Sequence, residues 1–307
     1  MATEVMINLL VKIALLTACG FFLKKRNIMT QSVKEGLNTL LVKALLPMSI
    51  IMSSQNDYSK EAAKSMVIVA IVSIGYYMVA LLFATALSKA CKLSDKGKSI
   101  FVTMIVFANV GFIGFPIAGE LYGAQGTLYT VVYNICYQLV FFTYGISLIS
   151  GERQIKLKML YTNPVTIASF VSVVFFLAQI KIQTGITSAC SSLAGMTVPV
   201  SMMLIGASLS ETKLSEVLKD KYSYLVTSIR MVVLPVIMLF VLKKIGLSMP
   251  ITGTCAVLTA LPAGSLNVIY AEQYNCEPLF ASRTVVQTML CMVITIPLLL
   301  MIIQTLG

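Results

Sequence analysis

Two short runs carry residue types that a continuous helix avoids. The first reads Phe107-Ala108-Asn109-Val110-Gly111-Phe112-Ile113-Gly114-Phe115-Pro116, and the second reads Leu261-Pro262-Ala263-Gly264-Ser265-Leu266-Asn267. Proline removes a ladder donor and glycine loosens the backbone, so both runs favour an interrupted helix. Both also lie inside long apolar stretches. Opened backbone at membrane depth is tolerated only where protein buries it or where it lines a wet cavity. Two such interruptions, one in each half of the chain, point to a substrate site; the alternative is a pair of ordinary kinks, or glycines that let helices pack closely. Interrupted helices would present free N–H groups and partial positive charge, which suits a carboxylate or a similar anion. Asn109 and Asn267 would add neutral donors. Asn134, Gln138 and Gln287 are further polar side chains near membrane depth, and each either contacts substrate or hydrogen-bonds a neighbouring helix.

Ionisable groups inside apolar stretches are costly and therefore informative. Here they are Lys12, Lys43 and Arg230, all cations. Each either partners an anion as an internal counter-charge or snorkels its long stem to an interface. No carboxylate sits in the middle of a stretch. Glu120 and Glu272 lie toward the far ends of the two interrupted runs, as candidates for a titratable coupling group or as solvated helix ends. The chain has no histidine, and its seven cysteines have no paired metal spacing. No metal, cofactor or disulfide is expected. Without histidine, paired intramembrane carboxylates or a Gly-x-Ser-x-Gly elbow, little remains that would support an enzyme.

These residues need elements to hold them. With 58% hydrophobic and 11% charged residues among 307, the chain is far more apolar than a soluble domain. The expected solution is an all-α integral membrane protein. A span takes about 20 apolar residues, and the hydropathy pattern predicts ten, near 5–23, 35–53, 64–88, 99–121, 126–149, 162–180, 187–209, 222–242, 250–271 and 280–304. The net charge of +11 sits in short loops, which argues against a nucleic-acid partner. With the N-terminus outside, fifteen Lys and Arg residues, including Lys24-Lys25-Arg26, Arg153, Lys156, Lys213 and Lys219, fall on the cytoplasmic side. Five (Lys60, Lys64, Lys181, Lys243 and Lys244) fall outside. This bias predicts a multi-pass protein of the inner cell membrane with both termini extracytoplasmic. Pro47-Met48-Ser49 and Pro199-Val200-Ser201 recur at an offset of 152, and Pro116 and Pro262 at 146. Such recurrence predicts a five-plus-five duplication, with an inverted repeat of residues 1–150 and 151–307.

Several of these motifs resemble the auxin efflux carrier family over essentially the whole chain. They are Gly20-Phe21-Phe22-Leu23-Lys24-Lys25-Arg26, Leu37-Asn38-Thr39-Leu40 through Pro47, Asn109 to Pro116 with Glu120-Leu121-Tyr122-Gly123, and Leu261-Pro262-Ala263-Gly264 with Ala271-Glu272-Gln273-Tyr274. The resemblance implies a ten-helix inverted-repeat fold like that of bile-acid sodium symporters. Spans 1, 2, 6 and 7 would form a scaffold, often a dimer interface. Spans 3–5 and 8–10 would form a mobile transport domain in which spans 4 and 9 cross at Pro116 and Pro262. It assigns the substrate site to Asn109, Gly111, Gly114, Pro116, Pro262, Gly264, Ser265 and Asn267, with Asn134 from the fifth span. It leaves Glu120, Glu272, Lys43, Arg230 and Gln287 for coupling or counter-charge. The ninth span lacks the acidic residue that helps ligate sodium in the bile-acid branch, and the short loop between spans 5 and 6 resembles a compact prokaryotic relative. The implied activity is secondary transport of a small organic anion (malate, malonate or an auxin-like acid) by an elevator movement. A carrier-like sensor that binds such an acid without net flux is the second reading.

Overall fold

A computed structural model of the chain describes residues 2–55, 58–152, 158–211 and 220–306. Arg153, Lys156, Lys213 and Lys219, which enter the charge count above, lie outside the described residues. The described chain is helical throughout: α1 Ala2–Lys25, α2 Gln31–Ser53, α3 Lys60–Ala90, α4 Asp95–Val106 and α5 Val110–Ser150. It continues with α6 Pro164–Leu177, α7 Thr184–Ser210, α8 Lys221–Lys244, α9 Met249–Thr259, α10 Ser265–Gln273 and α11 Pro278–Leu306. Six of these (α2, α3, α5, α7, α8 and α11) are long and apolar enough to cross a membrane, and α6 and α9 are shorter apolar helices.

Helix α5 has 41 residues, so it would measure about 60 Å if straight, twice the roughly 30 Å of a bilayer core. It is not straight. Tyr122 leaves helical geometry and Gly123 takes φ +60° and ψ −146°, a region open in practice only to glycine. The chain thereby turns between the segments expected as spans four and five. Spans four and nine are interrupted as expected, and Pro262 lies in the span-nine break, but in span four the interruption is not where Pro116 lies. Instead α4 stops at Val106 and α9 at Thr259, and the extended residues between α4 and α5 pair with those between α9 and α10 through an antiparallel bridge, Ala108 to Ala263.

Pro116 is thus displaced from the crossing. It lies in the first turn of regular helix after a π-helical turn, Val110–Gly114. The same arrangement precedes Pro47, after Leu41–Leu45, and Pro235, after Ile229–Val233. A proline ring crowds the carbonyl four residues back. Widening the preceding turn by one residue relieves that contact without ending the helix.

Packing divides the helices into two groups. Helices α1, α2, α6 and α7 pack on one another, and α3, α4, α5, α8, α9, α10 and α11 pack on one another. The α1–α7 contact is close because both helices offer glycine. A Cβ on Gly206 would lie 1.8 Å from the Thr17 carbonyl oxygen, and one on Gly20 would lie 2.0 Å from that of Met203. Helices α2 and α6 touch α5 between the groups, around a small buried core of Leu45, Leu46, Ile50, Phe115 and Val131.

Candidate functional site

The bridge is nearly two-fold symmetric. Asn109 N–H donates to the Pro262 carbonyl, and Gly264 N–H donates to the Phe107 carbonyl, both at 2.9 Å. Gly264 is required by proximity, since a Cβ there would lie 2.9 Å from the Ala108 carbonyl oxygen. Other backbone groups near the break take side-chain partners. Asn267 Nδ2 donates to the Phe107 carbonyl at 3.1 Å. Thr288 Oγ1 accepts from Ala263 N–H at 3.1 Å. Tyr76 donates its hydroxyl to the Val106 carbonyl at 3.5 Å.

Arg230 completes this set from α8. Its side chain is 0% exposed. Nε donates to the Leu261 carbonyl at 2.9 Å, and one terminal nitrogen donates to the Met104 and Ile105 carbonyls. It therefore does not snorkel. It holds the carbonyl ends of α4 and α9 together, while its other terminal nitrogen has no hydrogen-bond partner.

On the other side of the bridge a cavity of about 490 Å³ lies between the two helix groups. One wall is the crossing itself, with Ala108 to Phe112 and Gly264 to Leu266, joined by Asn134, Tyr137 and Gln138 of α5. The facing wall comes from α2 (Asn38, Val42, Leu46), the start of α6 (Asn163, Val165) and α7 (Ser201, Leu204). Of the sequence-derived candidates, Asn109, Gly111, Asn134, Gly264 and Ser265 line this space. Gly114, Pro116, Pro262, Asn267 and Gln287 do not. Gly114 faces Leu258 and Leu261, Pro262 and Asn267 serve the bridge, and Gln287 is buried with both amide atoms unpartnered.

The cavity wall is mainly apolar, and its few polar side chains are unevenly bonded. Gln138 accepts from the Thr166 hydroxyl, whereas Asn134, 1% exposed, has no partner for Nδ2. The helix starts are more telling. Thr30, Ser59, Ser94, Asn163 and Asp220 each cap a following helix with a side-chain oxygen. No side chain caps the starts after Gln183 and Ser248, nor those at Asn109 and Gly264, and of these only the last two, where α5 and α10 begin, lie against the cavity. Apart from Asn267 N–H, which bonds the Gly264 carbonyl at 3.1 Å, the first N–H groups of both starts have no side-chain acceptor, and both keep partial positive charge.

The remaining ionisable candidates lie elsewhere. Lys12 pairs with Glu120, so neither stands alone in the membrane. Lys43 and Glu272 are exposed. The cavity mouth has an ion cluster that the sequence did not single out. Glu211 binds Lys24 at 2.8 Å and also binds Lys34, which lines the mouth beside Gln31 and Glu35. Partial burial raises the Glu211 pKa, but hydrogen bonds from Lys24 and Lys34 outweigh it and hold the carboxyl below its ordinary range.

A bundle of apolar helices around two interrupted helices and a cavity with a few polar side chains is the architecture of a membrane transporter. Residues 5–159 and 153–300 match the family described as Membrane transport protein, and the chain belongs to this auxin-efflux-carrier-like family. It is 22% identical to an uncharacterized transporter of Methanothermobacter thermautotrophicus over 97% of each chain. It is 23% identical to an uncharacterized transporter of Methanocaldococcus jannaschii over 64% of this chain and 67% of the relative.

Proposed function

We propose that this protein is a secondary active carrier of a small organic anion, a carboxylate such as malate or malonate or an auxin-like acid. The observation that carries this reading is the pair of uncapped helix starts at Asn109 and Gly264, both against one cavity. A carboxylate there would accept from N–H groups that no side chain satisfies, at the positive ends of two helices. Asn109 and Asn134 would supply neutral donors, which favour an anion without fixing its charge. A volume of about 490 Å³ falls within the usual range for small-ligand sites.

In this reading the ten spans form an inverted repeat of residues 1–150 and 151–307. Helices α1, α2, α6 and α7 act as scaffold and dimer surface, and the other group moves against them as an elevator. The position of the cavity between the groups supports that division. With both termini outside the inner cell membrane, the mouth at Gln31, Lys34 and Ser208 opens to the cytoplasm, so the arrangement is inward-facing.

Purified protein screened against mono- and dicarboxylates and indole acids should show a rise in melting temperature with its own substrate, by mass action. The same acid should then enter proteoliposomes. Binding without flux under any imposed gradient would replace the carrier with a sensor, and no response to any carboxylate would remove the anion assignment.

A further inference from the structure

We infer that Arg230 is a tethered cation that permanently occupies the carbonyl pole of the crossing, in place of a dissociable ion. The inference goes beyond the anion-carrier reading and rests on it only for the effect on affinity. Helices α4 and α9 both end at the crossing, and each C-terminus carries about half a negative elementary charge. Met104 and Ile105 lie in the last turn of α4, and Leu261 lies just past α9. Three carbonyl oxygens from two chain segments thus converge on one guanidinium. Tyr76 and Tyr137 lie beside it, and its hydrogen-bond partners among the described residues are all backbone carbonyls.

Such a nest of carbonyls, without its arginine, is an oxygen-lined cation site closed off from water. Arg230 fills it with a charge that cannot leave or lose its proton. The consequence reaches the cavity. The full positive charge offsets the two carbonyl ends, so an anion on the opposite side meets the positive ends of α5 and α10 without the opposing field of α4 and α9.

The test is chemical rescue in Arg230→Gly, read first without any substrate. Expected results are a lowered melting temperature that millimolar guanidinium or methylguanidinium restores, and no such response in the wild type. Tetramethylammonium, which cannot donate hydrogen bonds, should restore nothing. In transport or binding assays the glycine variant should lose about tenfold or more in anion affinity, in line with the loss of a charge-assisted bond, and recover with guanidinium. Where Arg230→Gly does not accumulate, Arg230→Lys against Arg230→Met decides. Lysine keeping the fold and most of the affinity while methionine loses both supports the inference. Methionine matching the wild type, lysine failing alongside methionine, or a glycine variant indifferent to guanidinium overturns it. Rescue of the melting temperature in a protein that binds no carboxylate would retain the tethered cation and discard the anion-carrier reading.

Discussion

The two faces of the crossing differ in how fully their backbone groups are matched. On the face toward α8, the carbonyls of Met104, Ile105, Val106 and Leu261 each have a side-chain donor, from Arg230 or Tyr76. On the face toward the cavity, the starts of α5 and α10 have no side-chain cap and Asn134 Nδ2 has no partner. Buried polar groups left unmatched are expensive, so the first face reads as structure and the second as a place kept for a ligand.

Substitutions can break this contrast. The largest effect is expected for Gly264→Val, whose Cβ would meet the Ala108 carbonyl at the bridge itself. Overpacking and the lost bridge bonds together should cost about 3 kcal/mol or more, and a melting curve in detergent should show it alongside loss of transport. Gly206→Ala, remote from both faces, should cost about 1–3 kcal/mol through the α1–α7 contact while anion affinity in the surviving folded protein stays unchanged.

A paired comparison sharpens the division further. Asn267→Ala removes the donor to the Phe107 carbonyl at the bridge and should lower stability by about 1 kcal/mol. Asn134→Ala removes an unmatched donor, so stability should hold while anion affinity falls about tenfold. Equal effects of the two variants on stability would erase the distinction between faces. The smallest effect concerns Glu211. Its pKa is lowered in the folded protein, so its ion pairs stabilise above the ordinary carboxylate range and are lost as pH falls through the lowered value. Because the carboxylate is partly exposed, the acid-side drop in melting temperature should be slight and screened by salt, and absent in Glu211→Gln.

The glycine, asparagine and proline pattern marked both interruptions in the sequence, because those residue types weaken a helix wherever they cluster. It misplaced the crossing by eight residues in span four because proline also serves in the first turn of a helix, and Pro116 does that. Ala108 and Ala263, the residues that pair, carry no signal of their own. Arg230 was legible as a costly buried cation, but its partners are backbone carbonyls more than a hundred residues earlier or in the next helix, and no side-chain pattern reports them. Asn38, Asn163 and Ser201 are far apart in sequence, and only the fold brings them to one cavity.

The bridge between Ala108 and Ala263 also constrains the order in which the chain can mature. Helices α9 and α10 contain 11 and 9 residues, about 16 and 14 Å of helix, so neither crosses a bilayer by itself. The first half of the chain leaves the ribosome with the carbonyls of Met104, Ile105 and Phe107 facing lipid or transient water. Their partners Arg230, Gly264 and Asn267 are synthesised more than a hundred residues later. Backbone opened within a membrane cannot stay unmatched, so the early spans must wait as a loose, partly wet intermediate until the last third arrives. Closure of the crossing is therefore the late step of biogenesis, and a chain truncated before Arg230 should be cleared by quality control rather than persist as a folded half.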